Sequence, residues 1–232
     1  MRRSEVDMSG AGLGAVGVER AGRPPVGLVV FDLDGVLVDT QHAEDGGLVR
    51  LAARMGLTIG DEQAGELFSG NRLATCIELL ETLSGRPAPE DAVEFVRTEC
   101  ERIIGPRLDP VDGVEEALRR IPLTKCVASN SPRDLIERRL RASGLLDYFE
   151  DRLCSAYDAS VWKPDPGLFL SAAAEHRVPP SECLIIEDSE VGVRAGVRAG
   201  MRVLQFTNGR SCPSRSDGVV TFAHMAQLQD LI

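Results

Sequence analysis

Short apolar runs alternate with amphipathic patterns of helical spacing along most of this chain. The runs that predict strands are residues 27–31, 125–129, 183–187 and 202–206. The patterns that predict helices in the same part of the chain are residues 111–121, 132–142, 166–176 and 189–199. Short continuous apolar runs are typical of strands that are buried on both faces of a parallel sheet. Strand alternating with helix therefore predicts an α/β fold with a doubly wound parallel sheet.

The stretch between the first two predicted strands has a different pattern and contains no convincing strand. Its helical patterns are residues 44–55, 61–68, 72–83 and 90–104, separated by glycines and prolines. We therefore expect a helical cap of residues 42–107, inserted into a catalytic core made of residues 26–41 and 108–232. Glycines interrupt the weakly apolar start of the chain, and we expect residues 1–25 to form a disordered leader.

Charge and cysteine content narrow the function classes. The chain has 36 acidic and 26 basic residues, for a net charge of −10, whereas a general binder of nucleic acid or anionic membranes needs the opposite sign. Its six cysteines form no C-x-x-C pair, which argues against a zinc site or a dense disulfide scaffold. Free thiols fit a reducing cytosol, so we expect a cytoplasmic protein. No apolar run is long enough to span a membrane.

Four polar clusters stand out, and three of them directly follow predicted strands. They are Asp32-Leu33-Asp34-Gly35, Ser129-Asn130-Ser131, Lys163-Pro164-Asp165-Pro166 and Glu187-Asp188-Ser189. Because the carboxyl ends of parallel strands meet at one edge of a sheet, the clusters that follow strands are expected to converge on one crevice.

The carboxylates of these clusters predict a metal site. Two like charges about 4 Å apart repel by roughly 4 kcal/mol at an effective dielectric constant of about 20. A crevice that holds Asp32, Asp34, Glu187 and Asp188 therefore needs positive charge, and Mg²⁺ suits a site with carboxylates, water and a substrate phosphate. For Asp32-x-Asp34-Gly35 alone, a simple turn explains the sequence equally well. The other three clusters favour the metal site.

The remaining polar residues suit a phosphate group. Only Lys125 and Lys163 among the basic residues are lysine, which suggests a compact point charge at position 163 rather than an arginine fork. Ser129 and Asn130 offer a hydroxyl and an amide just before a predicted helix, whose N-terminus favours an anion. We expect Ser131 to cap that helix.

These four clusters, in this order, resemble the four motifs of the haloacid dehalogenase superfamily. Residues 31–40 are similar to motif I, Ser129 to motif II, Lys163 to motif III, and Glu187 with Asp188 to motif IV. The resemblance covers about residues 26–232. An insert directly after motif I resembles the C1 cap of the phosphoglycolate phosphatase and β-phosphoglucomutase branch. Residues 155–158 and 162–166 are similar to those of bacterial 6-phosphogluconate phosphatases.

The resemblance implies a Rossmann-like core and a role for each motif residue. Asp32 would attack phosphorus and form an aspartyl-phosphate, and Asp34 would act as general acid and then as general base. Mg²⁺ would be held by Asp32, by the backbone carbonyl of Asp34 and by Asp188, with Glu187 bound directly or through water. Ser129 and Lys163 would hold the phosphoryl oxygens, and Asn130 would add a contact.

Other branches of the superfamily fit less well. True dehalogenases lack the second motif I aspartate, which is present here as Asp34. Phosphonatases and β-phosphoglucomutases use a cap lysine, whereas this insert contains none, and the mutases carry a cap histidine where this chain has Glu44. We expect an Mg²⁺-dependent phosphatase, with a phosphosugar mutase as the alternative. A non-catalytic binding protein of the same fold stays a second alternative, although every expected catalytic residue type is present.

The expected cap offers weaker candidates for contacts with the substrate body. They are Arg50, Arg54, Asn71 and Arg72, of which we favour Arg72, although a solvated helix face explains any one of them more simply. Thr40, His42 and Glu44 lie at the expected cap entrance. The expected partner is a small phosphorylated metabolite, such as a sugar or sugar-acid phosphate, bound by a monomer or weak dimer.

Overall fold

A six-stranded, all-parallel sheet forms the centre of the protein. The computed structural model describes residues 25–68, 71, 73–209 and 218–232. The strands are β1 (Leu28–Phe31), β2 (Thr124–Ser129), β3 (Leu153–Ser155), β4 (Cys183–Glu187), β5 (Arg202–Phe206) and β6 (Val220–Phe222). Their order is β3-β2-β1-β4-β5-β6, and every neighbouring pair is parallel. The α/β fold with a parallel sheet is therefore confirmed.

Helices cover both faces of this sheet. The α-helices are α1 (Gln41–Arg54), α2 (Asp61–Phe68), α3 (Leu73–Ser84), α4 (Ala92–Ile104), α5 (Val114–Arg120), α6 (Arg133–Ala142), α7 (Ala156–Ala159), α8 (Gly167–Glu175), α9 (Glu190–Arg198) and α10 (Leu228–Leu231). Short 3₁₀ helices occur at Leu146–Tyr148, Pro180–Glu182 and Met225–Gln227. Among the residues that the structure describes, no helix is long and apolar enough to cross a membrane.

The alternation of side chains along β1 produces two apolar layers. All four residues of β1 are fully buried. Val29 and Phe31 belong to the cluster on one face of the sheet, and Leu28 and Val30 belong to the cluster on the other face. Successive side chains of a strand point to opposite faces, so a central strand covered on both faces must be apolar throughout.

Two strands are absent from the sequence-based prediction. β3 and β6 are each three residues long and form the two edges of the sheet. In β6 only Phe222 is buried, whereas Val220 and Thr221 are exposed. Three residues are too few to establish a strand periodicity, so the sequence pattern could not predict either strand.

Helices α1 to α4 lie between β1 and β2 and form the helical insert of residues 41–104. The insert has its own apolar cluster, which includes Leu51 and Ala52 of α1 and Val96 of α4. Gly47 allows α1 to approach α4 closely, since a Cβ there would lie 2.9 Å from the carbonyl oxygen of Val96. The division of the chain into cap and core stays a prediction. All but the last residue of the predicted leader lies outside the described residues.

Candidate active site

The carboxyl ends of the three central strands carry polar side chains that surround one cavity. Asp32 follows β1, Ser129 ends β2, and Glu187 ends β4 with Asp188 directly after it. These residues and Lys163 line a cavity of about 420 Å³. β1 lies between β2 and β4, and the backbone N–H of Asp32 donates to the carbonyl of Ile186 at 2.9 Å. The parallel register thus brings together the predicted motif residues.

Lys163 lies at the centre of this arrangement and is only 3% exposed. Its Nζ donates to Oδ1 of Asp32 at 2.5 Å and to Oε1 of Glu187 at 2.8 Å. Its backbone N–H donates to Oδ1 of Asn130 at 2.9 Å, and its ammonium lies 4.9 Å from the centre of the Phe169 ring. Burial alone lowers the pKa of Lys163, but the two carboxylates outweigh this effect and raise it. Lys163 is therefore a cation at neutral pH.

Asp32, Glu187 and Asp188 form an oxygen-only cluster that fits a hard divalent cation. One ligand atom from each of the three carboxylates lies within 4.8 Å of the other two. Burial raises the pKa of Asp32 to about 7, against the opposing charge of Lys163, and it raises the pKa of Asp188 well above its usual value. Removal from water thus disfavours the ionised form of both carboxyl groups. A bound Mg²⁺ ion would stabilise the ionised form and lower their pKa values again.

The two adjacent carboxylates of β4 have different surroundings. Glu187 accepts hydrogen bonds at Oε2 from the backbone N–H of Ser189 at 2.7 Å and from its hydroxyl at 2.9 Å, while Oε1 accepts from Lys163. Among the described residues, no group donates to the carboxylate of Asp188, which also lines the cavity. Asp188 is therefore the better placed of the two for direct metal binding, and Glu187 is held by the protein.

Two glycines make room for these carboxylates. Gly35 has a φ of +80°, and a Cβ there would lie 2.2 Å from Oδ2 of Asp188. Gly192, in the first turn of α9, would place a Cβ 1.7 Å from Oε1 of Glu187. Any side chain at either position would therefore displace a carboxylate of the cluster.

The carboxylate of Asp34 lies outside this cluster and has different partners. Its Oδ1 accepts a hydrogen bond from the hydroxyl of Thr40 at 3.1 Å and forms an ion pair with Arg139. Its Oδ2 accepts from the hydroxyl of Ser131 at 3.5 Å. The prediction that the backbone carbonyl of Asp34 binds the metal stays a prediction.

The prediction that Ser131 caps the following helix is wrong. Pro132 is the residue that precedes α6, and no side chain caps the helix there. The backbone N–H of Ser131 donates instead to Oγ of Ser129 at 3.1 Å, and its own hydroxyl lies near Asp34. The loop after β2 therefore folds back toward the site before α6 begins.

Sequence reasoning missed Arg139, although the pattern of α6 contains a signal. The buried residues of α6 are Ile136, Arg139 and Leu140, a spacing at which apolar side chains are expected. An arginine on the buried face of a helix requires buried partners, and Arg139 pairs with Asp34 and with Glu101 of α4. The identity of these partners becomes visible only in the structure.

A second cavity, of about 590 Å³, adjoins the first and lies between the helical insert and α6. Asp34, Glu44, Asn71 and Arg97 line both cavities. Burial raises the pKa of Glu44 to about 7, and the charge of Asp34 adds to this effect. Each cavity has the size of a typical small-molecule site.

The structure separates the other candidates of the insert from these cavities. Arg50 forms an ion pair with Glu99, and Arg54 pairs with Asp91 at 2.9 Å and lies 5.0 Å from the centre of the Phe95 ring. Neither arginine lines either cavity. Arg72 lies outside the described residues.

Comparisons with known proteins agree with this geometry. Residues 26–200 match the model of the haloacid dehalogenase-like hydrolase family. The chain is 32% identical to a 6-phosphogluconate phosphatase of Escherichia coli, over 88% of this chain and 93% of that protein. It is 27% identical to a validoxylamine A 7'-phosphate phosphatase of Streptomyces hygroscopicus, over 87% of this chain and 95% of that protein.

A solved structure leads to the same family. A conserved haloacid dehalogenase-like protein from Agrobacterium tumefaciens superimposes with a TM-score of 0.79 at 30% identity, covering 89% of this chain and 97% of that one. The expectation of a phosphoric monoester hydrolase agrees with the names of the two phosphatase relatives. On the strength of the family match over most of its length, the chain belongs to the haloacid dehalogenase-like hydrolases.

Proposed function

We propose that this protein is an Mg²⁺-dependent phosphatase that hydrolyses a small sugar or sugar-acid phosphate through an aspartyl-phosphate on Asp32. The observation that carries the proposal is the buried Asp32 carboxylate, 2.5 Å from Lys163 and clustered with Glu187 and Asp188. Carboxylates act as nucleophiles in phosphoryl transfer where the developing charge is neutralised. The names of the two phosphatase relatives support both the reaction and the class of substrate.

Asp32 is the proposed nucleophile of the first half of the reaction. One of its carboxylate oxygens attacks phosphorus, and the bond between phosphorus and the sugar oxygen breaks. Lys163 and Ser129 hold the phosphoryl oxygens during this step. The hydroxyl of Ser129 accepts from the backbone N–H of Ser131, so its proton remains available to a phosphoryl oxygen. Asn130 fixes the backbone of Lys163.

Asp34 is the proposed acid and base. As an acid it gives its proton to the departing sugar oxygen, and as a base it takes a proton from the water that then attacks phosphorus. The bond between Asp32 and phosphorus breaks in this second half, which releases inorganic phosphate. Asp34 lines both cavities, so its carboxylate lies between the proposed phosphoryl site and the space for the sugar.

The proposed Mg²⁺ ligands are Asp32, Asp188 and the backbone carbonyl of Asp34. Glu187 lies next to them and is not proposed as a direct ligand. When bound, the ion neutralises the charge of the phosphoryl group and of the carboxylates around it. We assign to Glu187 the role of holding Lys163, because both of its oxygens already accept hydrogen bonds from the protein.

The second cavity is the proposed site of the leaving group. Its walls come from the helical insert and from α6, and they include polar side chains such as Gln41, Asn71 and Arg97. Space of this size beyond Asp34 favours a leaving group larger than glycolate. In this proposal residues 42–107 form a cap that closes over the substrate.

Phosphate release from a panel of phosphorylated sugars, polyols and sugar acids tests the proposal. We expect release that requires Mg²⁺, stops with a chelator, and is lost in Asp32→Asn while its circular dichroism spectrum is unchanged. Activity that survives chelation, or that Asp32→Asn retains, contradicts the mechanism. Conversion of β-glucose 1-phosphate to glucose 6-phosphate faster than hydrolysis would instead identify a mutase.

A further inference from the structure

We propose that Arg139 is a positioning residue that orients the carboxylate of Asp34 and links it to the helical insert through Glu101. The inference rests on the proposed acid and base role of Asp34. Three segments meet at this arginine: Asp34 from the loop after β1, Arg139 from α6, and Glu101 from α4 of the insert.

The guanidinium of Arg139 is buried, and each of its three nitrogens contacts an acceptor in the protein. Its side chain is 7% exposed. Nη1 pairs with Oδ1 of Asp34, while Nη2 and Nε donate to Oε1 of Glu101 at 2.9 and 3.3 Å. Nη2 also lies 3.7 Å from Sγ of Cys100. The planar, rigid guanidinium holds Asp34 and Glu101 in a fixed relation that a single ammonium could not reproduce.

The two oxygens of Asp34 are held unequally. Oδ1 pairs with Arg139 and lies 3.1 Å from the hydroxyl of Thr40, which is also 3.2 Å from Oε1 of Glu44, whereas Oδ2 has a single 3.5 Å contact, with Ser131, among the described residues. The ion pair with Arg139 thus restrains Oδ1 and leaves the other oxygen for proton exchange. Arg139 lines the second cavity but not the one that contains Asp32 and Lys163, so we infer that it acts on phosphoryl transfer through Asp34.

Stability alone does not explain a charge at this position. Arg139 is flanked on the buried face of α6 by Ile136 and Leu140. Replacement of buried ion pairs by apolar side chains of similar volume is often neutral or stabilising, because the charges no longer have to be removed from water. An apolar side chain would therefore stabilise this position at least as well as arginine. The contact of Arg139 with Asp34 supplies a functional reason for the arginine.

Dependence on the leaving group separates positioning from general damage. A sugar alkoxide needs a proton as it departs, whereas p-nitrophenolate is a weak base and leaves without one. The experiment compares the rate of leaving-group release in the first turnover, at saturating substrate, for the best sugar phosphate of the panel and for p-nitrophenyl phosphate, in Arg139→Lys, Arg139→Met and Glu101→Gln. The first turnover excludes the later hydrolysis of the aspartyl-phosphate, in which Asp34 acts as base with either substrate. Arg141→Lys on the same helix is the matched control, since Arg141 pairs with Glu137 on the surface.

We expect Arg139→Lys and Arg139→Met to lower the first-turnover rate with the sugar phosphate on the order of 100-fold, the usual effect of a misplaced catalytic group. Release of p-nitrophenolate in the first turnover should fall by no more than about 3-fold, because this leaving group does not need the acid. Glu101→Gln should also lower the rate with the sugar phosphate more than the rate with p-nitrophenyl phosphate, but by smaller factors than the Arg139 variants. Arg141→Lys should match the wild type with both substrates.

An equal loss of first-turnover rate with both substrates, no loss with either, or an effect on the sugar phosphate that appears in KM alone would overturn the positioning role. If Arg139→Met does not fold, Arg139→Lys decides the question, and thermal unfolding of each variant shows whether it is folded. A wild-type protein that releases phosphate from neither substrate refutes the proposed function instead, so the two failures are distinguishable.

Discussion

The glycine at position 192 gives a sharp test of how the acidic cluster is built. In Gly192→Ala the new Cβ would lie 1.7 Å from Oε1 and 1.9 Å from Cδ of Glu187, closer than Cβ contacts are found. The carboxylate of Glu187 must move by roughly 1 Å or more to relieve this overlap, since contacts between non-bonded carbon atoms are optimal at about 3.5–4.0 Å. Such a movement breaks the 2.8 Å contact with Lys163 and the hydrogen bonds from Ser189.

A displacement of this size predicts a large loss of activity. Misplacement of a catalytic group by about 1 Å can cost on the order of 100-fold in rate. We expect Gly192→Ala to lower kcat/KM by about that factor and to raise the Mg²⁺ concentration needed for half-maximal activity. Steady-state kinetics across an Mg²⁺ titration measure both effects.

Gly196, one turn further along α9, supplies the matched control. A Cβ at Gly196 would lie 2.7 Å from the tips of Ile185 and Val203, which are apolar side chains of the core rather than members of the acidic cluster. Gly196→Ala should therefore cost about 1–3 kcal/mol of stability by overpacking and leave kcat/KM near the wild-type value. Wild-type kinetics and metal dependence in Gly192→Ala would refute the close packing of Gly192 against Glu187.

Three further predictions concern charge in and around the site. Lys163→Met leaves the carboxylates of Asp32 and Glu187 without their shared cation, so we expect a loss of activity and, without metal, a destabilisation of about 3–5 kcal/mol in urea unfolding. Burial raises the pKa of Asp32 from its ordinary value of 3.8 to about 7, so the folded protein binds the proton more tightly than the unfolded chain does. The contribution of Asp32 to the stability of the metal-free protein is therefore present below pH 4 and lost as the pH rises toward 7. Thermal unfolding with chelator measures the fall in stability over this pH range. Asp32→Asn should reduce that fall, and an unchanged fall would contradict the assignment. Arg54→Gln should leave kcat/KM unchanged, since Arg54 pairs with Asp91 away from both cavities; a lower kcat/KM would show that it contacts the substrate.

The central strands and the residues at their ends could be predicted from the sequence for a physical reason. A strand buried on both faces must be apolar throughout, so β1 and β4 are visible as continuous runs, and the polar residue that ends each run marks the edge of the sheet. Asp32 and Glu187 were found in this way. Lys163 was found because it is a rare lysine within a recognisable motif.

Other features depend on packing that no local pattern encodes. Glu187 and Asp188 look alike as adjacent acids, and only the position of Ser189 and the space at Gly192 distinguish their surroundings. The contact between Asp34 and Arg139 joins residues 105 positions apart, and it depends on how α6 packs against the insert. Such long-range pairs can be seen only once the chain is folded.

Direct detection of a phosphorylated Asp32 tests the central claim. An aspartyl-phosphate is a mixed anhydride whose acyl carbon borohydride reduces, so rapid quenching of the reaction followed by reduction and peptide mass spectrometry locates the modified carboxylate. Asp34→Asn should slow the second half of the reaction and increase the trapped fraction. We predict homoserine at position 32 that forms only with substrate and Mg²⁺; turnover with no modification there, or with the modification at another residue, would contradict the account.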